Sequence, residues 1–168
     1  MKTGCQRSLR NVTGLNMPEK DFYHISLKAL LKNEKGEVLA LKASNVGNLI
    51  GFYDLPGGRI DVEEFGLPLE NVLRRELQEE IGDVKVELSK HPVAYGRHLL
   101  EGKHTEDGED IHVMYMLFEG KYLSGDVVIS EEHTGFQWFD LQAIDLETYF
   151  KKGNLEAIKM YLERKASL

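Results

Sequence analysis

Three carboxylates lie within one turn and a half of a single helical stretch: Glu76, Glu79 and Glu80 in LENVLRRELQEEI, residues 69–81. Taking about 100° per residue and setting Glu76 at zero, the apolar arc runs from about −40° to about +140°. Val72, Leu69, Leu73, Leu77 and Ile81 make up that arc. Glu76 and Glu80 fall inside it and Glu79 just past its edge, whereas Asn71, Arg74 and Gln78 occupy the opposite face. Burying unpaired charge costs several kcal/mol or more. Carboxylates crowded towards the buried side therefore call for a cation. Two of them one turn apart can share one hard ion, and oxygen-only donors suit Mg²⁺ or Mn²⁺, which accept phosphate oxygens as further ligands. An ion held in this way can also activate a water, with a carboxylate taking its proton.

Such a helix has to be held against something. Pro56-Gly57-Gly58 bends the chain just before it, and Arg59–Leu67 is an acidic loop. Pro68 suits the first helical turn and Gly82 the end. Upstream, Ile25, Leu27, Ala29 and Leu31 alternate with Ser26 and Lys28 as a strand, Asn33–Gly36 has turn chemistry, and Val38–Ala43 returns, which predicts a β-hairpin. A short extended run covers Tyr53–Leu55. Downstream, strands are predicted around Val84–Leu88, His91–Leu100, Ile111–Phe118 and Phe136–Phe139, with loops at Glu101–Asp110 and Lys121–Thr134. Leu141–Phe150 and Asn154–Lys165 read as helices, the second buried through Leu155, Ile158 and Leu162. The expectation is one α+β domain over residues 21–168, preceded by a polar tail or arm at 1–20.

The composition removes several classes. The 168 residues suit one domain. With 21 basic and 28 acidic side chains, a net charge of −7 argues against nucleic-acid or anionic-membrane surfaces. The single cysteine, Cys5, excludes intramolecular disulfides and cysteine zinc sites. No apolar run is long enough to span a bilayer and the first twenty residues lack a signal-peptide core, so a cytoplasmic location is expected.

The stretch from Gly58 to Gly82 resembles the Nudix box, G-x5-E-x7-R-E-U-x-E-E-x-G-U with U apolar. Gly58 and Glu64 match its first part, and Arg75-Glu76-Leu77-Gln78-Glu79-Glu80-Ile81-Gly82 its second. Leu-Pro-Gly-Gly before the box, and Glu132-His133 and Trp138 after it, extend the resemblance over residues 22–145. It implies an α/β/α sandwich around a mixed sheet and hydrolysis of a diphosphate bond in a nucleotide. It also implies metal ligands at Glu76, Glu79, Glu80 and the Gly58 carbonyl, a base among Glu79, Glu80 and Glu132, and a brace between Glu64 and Arg75. Two departures stand out. Ten residues rather than seven separate Glu64 from Arg75, the extra three falling in Phe65–Pro68, which leaves open whether the brace forms; and Asp83 replaces an apolar residue.

Outside the box the residues are less decisive. Lys42 and Arg59 can donate to phosphates, although surface roles fit them equally; Tyr53 can stack on a base, but aromatics beside a glycine turn are more often core. Glu131-Glu132-His133 can be a solvated loop, in which His133 caps or packs. Trp138 and Phe139 read as core; His98 and His104 have no ligand spacing. The substrate expected first is a nucleoside diphosphate linked to a moiety X, of NDP-sugar or ADP-ribose type. A MutT-type nucleoside triphosphate pyrophosphohydrolase comes second and a non-catalytic nucleotide sensor third. A homodimer is possible by analogy with relatives.

Overall fold

The computed structural model describes residues 20–44, 49–105 and 107–167. The expected arm at 1–20, Cys5 included, lies outside them except for Lys20. The core is a mixed sheet built on β1 (Tyr23–Lys32) and β6 (Ile111–Ser124), which run parallel from Tyr23 beside His112 to Lys32 beside Lys121. Around them lie β2 (Val38–Ala43), β3 (Tyr53–Asp54), β4 (Lys85–Leu88), β5 (Ala94–Leu100) and β7 (His133–Phe139), all paired antiparallel. Two buried layers flank the sheet. Leu27, Ala29, Leu31, Leu39 and Leu41 face α1 (Leu69–Ile81) through Val72, Leu73, Leu77 and Ile81. On the other face, Leu30, Val38, Ala40 and Leu117 pack on α3 (Lys152–Ala166) through Ala157, Ile158 and Tyr161. The α/β/α sandwich is thus present.

The predicted turn at 33–37 forms, with Gly36 at φ 81° and Asn33 Oδ1 accepting the Lys35 and Glu37 amides. The hairpin it was expected to close does not extend beyond Lys32 beside Val38. The edge of β1 is taken instead by the segment after β3. The Leu27 amide donates to Gly58 O (2.8 Å), the Ala29 amide to Pro56 O (2.8 Å), and the Ile60 amide to Ile25 O (3.0 Å). The Pro-Gly-Gly turn is therefore bonded into the sheet, directly under α1. Gly57 is obligatory there: its φ is +125°, and a Cβ would lie 2.2 Å from Leu27 O.

Three other expectations shift. β6 continues to Ser124, because β4 supplies a ladder from Gly120 to Ser124, so the expected long loop shrinks to 125–132. The helix expected over Leu141–Phe150 is one turn, α2 (Leu146–Tyr149). Asp140 and Asp145 accept the Gln142 and Glu147 amides two residues on, and these local turns compete with helix. In α3 the buried residues are Gly153, Asn154, Ala157, Ile158 and Tyr161, with Leu155 and Leu162 packed at the edge. The rotation follows from backbone contact with β5, where a Cβ at Gly96 would come within 2.0 Å of Gly153 O.

Far from the cleft, Glu119 on β6 accepts from Lys32 Nζ (2.7 Å) and the Tyr161 hydroxyl (2.6 Å), tying α3 to the sheet. Burial alone would raise its pKa, but these donors and Lys165 lower it to about 2. A depressed carboxyl stabilises the fold above its ordinary value of 4.5, and that contribution is lost as pH falls towards 2. Glu119→Gln is expected to cost about 2 kcal/mol at neutral pH and much less at pH 2. Thermal melts across that range provide the check, and parallel curves for the two proteins would contradict it.

Candidate active site

A cleft of about 680 Å³ opens where the box helix, the Pro-Gly-Gly turn and the loop before β7 meet. Helix α1 starts after Pro68, whose φ of −56° suits that position, and ends at Gly82 in the left-handed region, φ 79°. It places its carboxylates as the angular pattern predicts: the side chains of Glu76 and Glu80 are 13% and 12% exposed, that of Glu79 60%. All three line the cleft. Burial raises the Glu76 pKa, opposed by Arg75 and aided by Glu80 and Glu79.

The turn holds Glu80 directly, the Gly57 amide donating to Glu80 Oε2 (2.6 Å). Gly58 sits against Glu76; a Cβ there would stand 2.2 Å from Glu76 Oε2. Its carbonyl, the ligand implied by the box, accepts from the Leu27 amide (2.8 Å) and keeps a second lone pair, while beside Glu76 the absence of a side chain leaves space. Gly58→Ala is expected to displace the Glu76 carboxylate and lower turnover at least tenfold with a folded protein retained. Steady-state kinetics beside circular dichroism would show this, and unchanged kcat would contradict it.

The brace forms despite the insertion. Glu64 accepts from Arg75 Nε (2.5 Å) and Nη2 (2.8 Å), and also from the Asp61 amide (2.9 Å). A single 3₁₀ turn at Val62–Glu64 keeps Glu64 inside, while the extra residues bow outward and leave Phe65 95% exposed. Arg75 then reaches Glu76 (2.8 Å) and Glu79 (2.9 Å), so one guanidinium neutralises part of three carboxylates.

Glu132 also lines the cleft. It closes with Glu80 and His133 into a group whose donor atoms all lie within 4.8 Å of one another. Arg59 lines the cleft, and among the described residues its guanidinium has no ion pair or hydrogen bond with the protein. Lys42 and Tyr53 do not come to the cleft. Lys42 is exposed on β2, and the Tyr53 ring packs edge-on against Phe139 (4.9 Å) and near Tyr149 (6.2 Å), its hydroxyl donating to Gln137. Trp138 and Phe139 pack in the core as expected.

The sequence reading missed the floor. Lys28, buried, donates to Asp54 Oδ2 (3.0 Å) and to Gly57 O (2.5 Å), while Asn154 Nδ2 of α3 donates to Asp54 Oδ1 (2.7 Å). Burial would favour neutral lysine, but Asp54 and the nearby Glu80 hold its pKa above the ordinary value. Beside it His98 stacks on Tyr115 (centroids 5.5 Å apart) and stays neutral, since burial, reinforced by Lys152, lowers its pKa to about 4. A lysine at mid-strand in the sheet's central pair was the available signal.

A family model described as the NUDIX domain matches residues 22–161. The chain belongs to the Nudix family. As a Nudix hydrolase it is an enzyme of diphosphate bonds, acting on small nucleotide substrates. It is 31% identical over 122 residues to nucleoside triphosphatase NudI of Klebsiella pneumoniae, covering 71% of this chain and 82% of that one. With NudI of Escherichia fergusonii it shares 30% over 128 residues, 73% and 88% covered. The crystal structure of a MutT protein from Methanosarcina mazei Go1 superposes with a TM-score of 0.66 at 27% identity, covering 89% of this Nudix chain and 98% of that one. Among the described residues no helix is long and apolar enough to cross a membrane.

Proposed function

We propose that this Nudix hydrolase cleaves nucleoside triphosphates to a nucleoside monophosphate and diphosphate, using Mg²⁺ or Mn²⁺. The convergence of Glu76, Glu80 and Glu132 on one cleft, with Arg59 on its wall, carries the reading. The donor set fits a hard cation: these carboxylates have too few basic partners, burial raises the Glu76 pKa, and Gly58 leaves room beside it. Glu76, Glu80 and Glu132 would hold the ion. When bound, it supplies positive charge against the phosphate oxygens and makes water at the site more acidic.

The chain's own residues do the rest. Arg59 donates to a phosphate oxygen, and the buried Lys28 ammonium fixes the Gly57 carbonyl and hence the turn on which Glu80 rests. Glu79, the most exposed box carboxylate, takes the proton of the attacking water as the P–O bond to the leaving diphosphate breaks. The sequence alone put a nucleoside diphosphate linked to X first. The two nucleoside triphosphatase relatives at about 30% identity support the opposite order.

The test is product analysis with Mg²⁺ across nucleoside triphosphates, NDP-sugars, ADP-ribose, NADH and dinucleoside polyphosphates. Highest kcat/KM on a triphosphate, with diphosphate released, is expected. Preference for an NDP-sugar or ADP-ribose would restore the diphosphate-X reading.

A further inference from the structure

We propose that His133 gives the cation site an imidazole nitrogen donor beside Glu80 and Glu132, so that a mixed nitrogen–oxygen set rather than carboxylates alone binds the ion. The proposal rests on the metal-dependent reading above. It starts with the loop after β6, which is bonded to the end of the box helix: the Val128 amide donates to Ile81 O (3.0 Å) and the Ser130 amide to Glu80 O (3.1 Å). That anchoring carries Glu132 and His133 over the Glu80 side chain.

The distances match shared ligation. Glu80 Oε2 is taken by the Gly57 amide, which leaves Oε1 facing His133 Nε2 at 3.3 Å. This is long for a hydrogen bond between a ring N–H and a carboxylate, whose mode lies nearer 2.9 Å. Two adjacent donors on an ion at about 2.1 Å stand roughly 3 Å apart, and two opposite donors roughly 4 Å. The three donor atoms, all within 4.8 Å of one another, can reach one ion with small side-chain adjustments.

A second observation concerns the far side of the ring. The His133 side chain is only 8% exposed, and its Nδ1 is buried without a hydrogen-bond partner, as is Ser130 Oγ. Both belong to one turn, closed by the His133 amide on Ser130 O (3.2 Å). In the tautomer with the proton on Nδ1, the Nε2 lone pair is free for a cation. An imidazole in the set favours Mn²⁺, Co²⁺ or Zn²⁺ over Mg²⁺ relative to an all-carboxylate site.

Pulsed electron paramagnetic resonance of Mn²⁺ bound to the wild-type protein reads the nitrogen directly. A ¹⁴N coupling of a coordinated imidazole is expected, and it should vanish in His133→Gln. Calorimetry should show the Mn²⁺-to-Mg²⁺ affinity ratio falling roughly tenfold in that variant. Mn²⁺ bound without nitrogen coupling would overturn the ligand assignment and leave the metal-dependent reading standing. Failure to bind Mn²⁺ at all would overturn both. Should His133→Gln not fold, the wild-type spectrum decides alone.

Discussion

Replacing Glu80 by Gln is expected to lower kcat about a thousandfold, roughly 4 kcal/mol of transition-state stabilisation. The amide keeps the shape and still offers an oxygen to the Gly57 amide, whose bond to Glu80 Oε2 is 2.6 Å. What it loses is charge, at the point where the helix, the turn and the Glu132–His133 loop converge. The same substitution should change the stability of the metal-free protein little, because it relieves the repulsion that pushes the Glu76 pKa upward but also removes one of the charges that hold buried Lys28 protonated. Loss of activity with a preserved melting temperature identifies a functional rather than a structural carboxylate. Near-normal kcat would show that the ion is held elsewhere.

Arg75→Ala is expected to have the second-largest effect, and on both properties at once. Arg75 bonds Glu64 through two nitrogens and also contacts Glu76 and Glu79, so its removal leaves several carboxylates facing one another. We expect kcat to fall at least a hundredfold and the melting temperature to drop on the order of 5 °C. Arg75→Lys should rescue little, since a single ammonium cannot repeat the forked contact with Glu64. The pH dependence has a defined sign. The Arg75 hydrogen bond, with the Asp61 amide, holds the Glu64 pKa below 4.5. Its contribution is therefore present above the ordinary carboxylate range and disappears on acidification. Wild type and Arg75→Ala should converge in stability as pH falls below 4; a constant gap would contradict the brace.

The legible parts of the sequence were those that repeat a local rule. Carboxylate angles on α1 follow from 3.6-residue periodicity, and Gly82 and Pro68 mark its ends, so the disposition of Glu76, Glu79 and Glu80 could be read before any fold was known. The sandwich and the mixed sheet followed from the box resemblance. Long-range pairing was not legible. Nothing local says that Pro56–Ile60 displaces β2 from the edge of β1, yet that exchange puts the Gly57 amide on Glu80. Lys28 alternates with the apolar residues of β1, and alternation cannot tell water from a second buried layer; α3, far along the chain, covers that face and supplies Asn154 to Asp54. Lys42 and Tyr53 were chosen for chemical type, but β2 leaves one in solvent and Phe139 and Tyr149 surround the other. The insertion in the box proved easy to accommodate, since a bowed surface loop costs little entropy per added residue and Glu64 stays anchored by its own turn.

The most direct test of the account is ³¹P NMR of a nucleoside triphosphate incubated with metal-stripped protein, with and without added Mg²⁺, in parallel for wild type and Glu80→Gln. We expect diphosphate and nucleoside monophosphate only from wild type with Mg²⁺, at a rate at least a hundredfold above the variant's. Equal rates for the two proteins, or turnover that ignores the divalent ion, would contradict a metal-dependent hydrolase built on this helix.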